Sequence, residues 1–107
     1  MGRFCILGGG LVGRFIAEKL FERGHLVRII DAEELIGFSS GIITEKKIVN
    51  KTSISSIVSI EEVVINCLPG RIGHAIRKPL LSIKGMRIAD LAFTPEDPRE
   101  LNDLATK

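Results

Sequence analysis

A chain of 107 residues fits one domain with a real core, and its 45% apolar and 26% charged content argues for a folded globular chain rather than a disordered one. A net charge of only +2, with Lys and Arg scattered along the chain, argues against nucleic acid as a partner, and no apolar run approaches the ~20 residues of a membrane span. With no Trp or Tyr and only five Phe, the core has to be built from Ile, Leu, Val and Ala, which suits a parallel sheet buried between helices.

Arg3–Leu7 reads as a short buried strand. Leu11, Phe15, Ile16, Ala17 and Leu20 then recur at helical spacing, while Glu18, Lys19, Glu22 and Arg23 take the other face. Gly24 stops this helix, and Leu26–Ile30 reads as a second strand ending at Asp31. The β-α-β unit so formed has about the size of one mononucleotide-binding unit. Ala32–Ile36 could add one or two helical turns, followed by the loop GFSSG. Lys47–Asn50 is expected as a short third strand, and Ser53–Ile60 as a short helix with Ser53 as its cap. Val63–Cys67 is a fourth strand, left through the turn LPG, and Ile72–Leu81 a helix that Pro79 should kink or end early. After Gly85, Met86–Leu91 is a fifth strand. Asp97 as cap, Pro98 at the first helical position and Glu100 in capping-box position then start a closing helix running to Ala105. Cys5 and Cys67 both fall in apolar strands and read as buried thiols of a reducing, cytoplasmic environment.

Strands alternating with helices predict an α/β, doubly wound parallel sheet, Rossmann-like, with strand order 3-2-1-4-5 in a three-layer αβα sandwich. Ligands of such sheets bind at the carboxyl ends of the strands where the order reverses, between strands one and four. There the chain reads GGGLVGRF. Gly8, Gly10 and Gly13 have the dinucleotide-fingerprint spacing, between a strand and a helix. Gly8 permits the tight turn, Gly10 lets a pyrophosphate approach the backbone, and Gly13 lets the helix pack closely. The amides around Gly9, Leu11 and Val12 would point at the phosphates with the helix dipole behind them. Asp31, followed by Ala32, stands where a carboxylate accepts the ribose hydroxyls of an adenosine. Asp31, Glu33 and Glu34 would repel a 2′-phosphate, which favours NAD over NADP, although Arg14 and Arg28 leave that choice open. Leu68, Pro69 and Gly70, with the backbone of Asn66 and Cys67, could line the nicotinamide half. His74 reads as a surface or packing residue, and His25 is remote from the site. No Cys/His cluster suggests a metal.

The segments GGGLVGRFIAEKL, VVINCLPGRIGHAI and IADLAFTPEDPRELNDLA together resemble the NAD(P)-binding N-terminal domain of the saccharopine dehydrogenase family. The resemblance implies amino-acid oxidoreductase chemistry, with hydride passing between nicotinamide and the carbon that bears nitrogen. It places Gly8, Gly10 and Gly13 on the phosphates, Asp31 on the ribose, Leu68–Gly70 beside the nicotinamide, and Thr94 to Asp97 at a cleft facing a substrate domain. Family members continue into a second, substrate-binding domain, so the chain reads as a cofactor module that would not turn over an amino-acid substrate alone. A bare edge or interdomain face could pair two copies. A nucleotide-sensing regulatory module of the potassium-transport type fits the glycine segment equally well. A scaffold that binds only proteins is a third reading.

Overall fold

The structure, a computed structural model, describes residues 1–91. Five strands, β1 (Arg3–Leu7), β2 (Leu26–Asp31), β3 (Ile43–Lys46), β4 (Val63–Asn66) and β5 (Arg87–Asp90), form one all-parallel sheet in the order β3-β2-β1-β4-β5. Helices α1 (Leu11–Glu22), α2 (Ile54–Ile57) and α3 (Gly70–Leu81) connect them. The fold is the expected doubly wound α/β sandwich. No helix among the described residues is long and apolar enough to cross a membrane.

Side-chain alternation on the strands divides the core in two. Ile6, Val27, Ile29 and Ile65 point to one face, where Ala17 of α1 and Ile42 complete a cluster. Cys5, Leu7, Ile30 and Val64 point to the other, where they meet Ile54 and Ile57 of α2 and Ile76 and Leu80 of α3. Each fully buried Ile or Leu contributes ~2 kcal/mol by leaving water, so the strands' continuous apolar runs are what two covered faces demand.

α1 ends as its sequence implies. The Gly24 amide donates to the Phe21 carbonyl at 3.0 Å and the His25 amide to Leu20 at 3.2 Å, with Gly24 at φ +86°, the complete double bond of a glycine-terminated helix.

Elsewhere the tertiary structure overrides the local pattern. Ala32–Ile36 is not helical. The Glu33 amide donates to Asp31 Oδ1 at 3.0 Å, and Arg14 of α1 holds the segment's end by the carbonyls of Ile36 (2.8 Å) and Gly37 (3.1 Å). The Arg14 guanidinium also stacks on Phe38, 4.1 Å from the ring centre, and the Ser39 amide and hydroxyl donate to Glu18. The β2–β3 crossover is thus an irregular segment fastened onto α1. The third strand lies at Ile43–Lys46, before the expected Lys47–Asn50, because Glu45 pairs with Arg28 of β2 and Val49 turns into the core. α2 keeps only Ile54–Ile57 of the expected Ser53–Ile60. Ser53 stands at its N-cap as expected but makes no side-chain cap bond: Asn50 Oδ1 accepts from the amides of Thr52 and Ser53, each at 2.9 Å, while the Ser53 hydroxyl donates to the Ile48 carbonyl. β4 stops at Asn66, one residue before Cys67, and β5 is shortened at both ends to Arg87–Asp90. α3 starts at Gly70, two residues before the expected Ile72, and runs through Pro79 to Leu81. Pro79 removes only the bond to the carbonyl of exposed Ala75, and buried Ile76 and Leu80 hold that turn on the sheet. The expected closing helix from Asp97 to Ala105, and Thr94 to Asp97, lie outside the described residues.

Candidate functional site

The register puts the candidate residues on one rim. Leu7 is level with Ile30 of β2 and Asn66 of β4, and the ladder continues one step further. The Gly8 amide donates to the Ile30 carbonyl and the Cys67 amide to Leu7, each at 2.8 Å. Gly8, Asp31 and Cys67 therefore share one level at the carboxyl ends of the three central strands.

The glycines there differ in what surrounds them. Gly8 sits at φ +103°, and a Cβ on it would come within 2.9 Å of the Cys67 carbonyl oxygen. A Cβ on Gly9 would overlap Leu35 Cδ2. One on Gly13 would overlap the Gly8 carbonyl oxygen, so the close approach of α1 that the spacing implies is made against the turn itself, with Ile6 of β1 next at 3.4 Å. Gly10 is unlike these three. Its φ of −71° suits any residue, and a Cβ there meets nothing within 4 Å.

Gly10 is also the N-cap of α1, with no capping side chain among the described residues and no acidic residue in the first turn. The first amides of the helix and its positive dipole end are therefore directed at the rim, uncapped by any side chain among the described residues, with the Asp31 carboxylate on the neighbouring Gly9 amide. Leu11 (89% exposed) and Val12 (58% exposed) flank this turn as uncovered apolar side chains, while Gly13 is buried.

Asp31 stands beside it on the α1 face. Its Oδ2 accepts from the Gly9 amide at 2.7 Å and its Oδ1 from the Glu33 amide, so one carboxylate ties the glycine turn to the end of β2. Each oxygen keeps a further lone pair for another donor. Ala32 is exposed and brings only backbone to the rim. Arg14 and Arg28, which could have turned to an incoming phosphate, are engaged elsewhere. Arg14 clasps the Ile36–Phe38 segment, and Arg28 lies across the sheet's other face in a bidentate pair with Glu62 (2.6 and 3.0 Å) that also reaches Glu45.

The LPG turn closes the other side. Leu68 is buried in the core, Pro69 precedes α3 as its cap, and Gly70 takes φ +57°. Under this turn lies a polar residue whose side chain sequence reasoning did not assign. Asn66 is fully buried, its amide nitrogen donating to the Gly73 carbonyl (3.1 Å) and Asp90 Oδ1 (3.2 Å) while its oxygen accepts from the Leu68 amide (3.3 Å). Asp90 Oδ2 in turn meets Arg77 Nε at 2.5 Å, and Arg77 Nη1 lies 3.4 Å from His74 Nδ1. Nothing in the spacing of Asn66, His74, Arg77 and Asp90 announces this cluster, because the α3–β5 crossover assembles it. Cys67 is half-buried rather than buried, and burial, with Asp90 nearby, pushes its thiol pKa up.

A groove of about 330 Å³ runs between Val49, Asn50 and Lys51 and the α3 residues Arg71, Ile72, Ala75 and Ile76, apolar apart from Asn50 and the two cations. Lys51 and Arg71 come from segments far apart in the chain, so the sequence alone does not pair them. Two other grooves, one lined by Phe4, Val27 and Glu62 and one by Gly2, Phe4 and Glu61, lie at the amino ends of the strands. His25 is also at that end, accepting from the Gly2 amide at 2.9 Å and standing edge-on to Phe4. The glycine turn and the dipole end of α1 are at the opposite rim, and they make the carboxyl rim the chemically equipped one. Compared with models of known protein families, with curated proteins and with solved structures, the chain matches none.

Proposed function

We propose that this chain is a dinucleotide-binding module whose first ligand is NAD(H). The observation that carries the reading is Gly10. A glycine kept for turning is strained or crowded, as Gly8, Gly9 and Gly13 are, but Gly10 has ordinary backbone angles and open space where its Cβ would be. What benefits from a missing side chain there is a group outside the protein. The uncapped helix start behind it makes that group an anion, which fits a pyrophosphate. Asp31 would accept the ribose hydroxyls, Leu11 and Val12 would be covered, and the LPG turn would line the far half. The apolar groove beside Lys51 and Arg71 offers room for a flat ring next to positive charge.

On the resemblance to saccharopine dehydrogenases, the bound nicotinamide would exchange hydride with an amino-acid carbon supplied by a second domain. The described residues serve the cofactor half of that reaction. Calorimetric titration of the full chain with NAD, NADH and NADPH tests the reading. NAD and NADH are expected to bind, NADPH more weakly, and Asp31→Ala to abolish the preference. Failure of all three nucleotides to bind would refute it. Nucleotide-dependent assembly would favour the regulatory reading, for which the exposed Leu11 and Phe15 on α1 offer an apolar contact face.

A further inference from the structure

We infer that Asn66 is the positioning residue of the LPG turn and that Asp90, held by Arg77, sets its orientation, so that this network governs how the far half of the dinucleotide is gripped. The inference rests on the dinucleotide reading.

Asn66 occupies a strand position that points into the α3-side core beside Val64, where an apolar side chain would be the cheaper choice. Its amide is oriented without ambiguity. Two acceptors, the Gly73 carbonyl and Asp90 Oδ1, face the NH₂ group, and one donor, the Leu68 amide, faces the oxygen. A single side chain thus joins the end of β4, the first turns of α3, the end of β5 and the first residue of the LPG turn. Neither a carboxylate nor an aliphatic group can make all three bonds.

Leu68 is the residue through which this hold reaches the rim. Its amide nitrogen would lie 3.1 Å from a Cβ on Gly8, so the LPG turn and the glycine turn are in contact. The glycine turn is pinned separately, by Asp31 on the Gly9 amide and by Ile30 on the Gly8 amide. When Asn66 loses its grip, the LPG side yields while the glycine side stays. The network therefore separates the two halves of the ligand: its loss weakens whatever the LPG turn lines and spares what Asp31 and the glycine turn hold.

The test uses the full chain as Asn66→Asp, which keeps the volume but sets a carboxylate against two acceptors, and as Asp90→Ala, which leaves Asn66 in place and removes its orienting partner together with the carboxylate that meets Arg77. Amide hydrogen exchange of Leu68 should accelerate by about tenfold or more in both, with Ile6 of β1 unchanged. NADH affinity should fall by about tenfold, and that of ADP-ribose, which lacks nicotinamide, by less than about threefold. Unchanged exchange at Leu68, or equal losses for the two nucleotides, overturns the inference. If the unaltered chain binds neither nucleotide, the dinucleotide reading fails, and the exchange measurement still decides whether Asn66 and Asp90 hold the turn. Should Asn66→Asp not fold, Asp90→Ala, at the partly exposed end of β5, supplies the same measurements without a substitution at a fully buried position.

Discussion

Gly10→Ala and Gly13→Ala make a matched pair, the same added methyl in two surroundings three residues apart. At Gly13 the methyl would overlap the Gly8 carbonyl oxygen and stand 3.1 Å from its carbon, and backbone cannot swing aside as a side-chain tip can. α1 has to lift, drawing Ala17 away from the sheet. Overpacking of this kind costs ~1–3 kcal/mol, and at ~4–8 °C per kcal/mol a central value near ~2 lowers Tm by roughly 8–16 °C. At Gly10 the methyl meets nothing, and the change is confined to the weaker N-cap preference of Ala, ~0.5 kcal/mol and a few degrees at most. Binding reverses the ranking of what each variant reveals. Gly10→Ala should weaken NADH by at least about tenfold, ~1.4 kcal/mol, in a protein that melts almost normally. Scanning calorimetry and titration on the same samples read both quantities. If Gly10→Ala binds NADH as the unaltered chain does, no ligand lies over Gly10; if it melts as early as Gly13→Ala, the turn rather than the open face requires the glycine.

Two further predictions concern ionisation. Burial pushes the Cys5 thiol up to about 12 from an ordinary 9.0, partly opposed by Arg28, so Cys5 should resist a thiol-specific disulfide reagent until the chain unfolds, whereas half-buried Cys67 reacts slowly in the folded protein. Because the folded value is raised, the stability this thiol contributes is intact below pH 9.0 and is lost as pH rises toward 12, which the urea midpoint measures and Cys5→Ala removes. The Glu45 carboxyl is held below its usual 4.5, first by the hydrogen bond from Lys47 and then by Arg28, against the opposing effect of burial. Here the unfolded chain takes up the proton first. The contribution is complete above about pH 4.5 and disappears as pH falls through the lowered folded value, and Glu45→Gln should flatten that acid limb.

How much of this was readable in advance depended on how local the causes are. β1, α1 and β2 follow from an apolar run, helical spacing and Gly24, all decided within a few residues, and the strand order is that of the doubly wound arrangement to which alternating strands and helices point. The Ala32–Ile36 segment looks helical because its own residues permit a helix, but Asp31 draws the Glu33 amide into a turn and Arg14, on another element, fastens the carbonyls of Ile36 and Gly37 onto α1. The third strand was displaced for a similar reason: ITEK is short and polar on one side, and its place is set by the ladder to β2 and by the Arg28 side chain that meets Glu45 there. Pro79 signals a break that buried Ile76 and Leu80 override. At the rim, the glycines and Asp31 were readable because their spacing is itself the motif. The role of the Asn66 side chain was not, since Gly73 and Asp90, two of its three partners, belong to α3 and β5, which the sequence does not place in space. Lys51 and Arg71 meet in one groove for the same non-local reason.

The bond from the Gly9 amide to Asp31 has a thermodynamic consequence beyond geometry. A glycine-rich turn ought to be the softest part of the chain, and freezing it on binding would consume ~1–2 kcal/mol per residue of conformational entropy. Asp31 makes that payment at folding instead, holding the turn in one shape. On the proposed reading one carboxylate thus acts twice, as ribose acceptor and as the strut that preorganises the phosphate cradle. Removing it would cost more affinity than two ribose contacts alone, and the excess would appear as a larger entropic penalty of association.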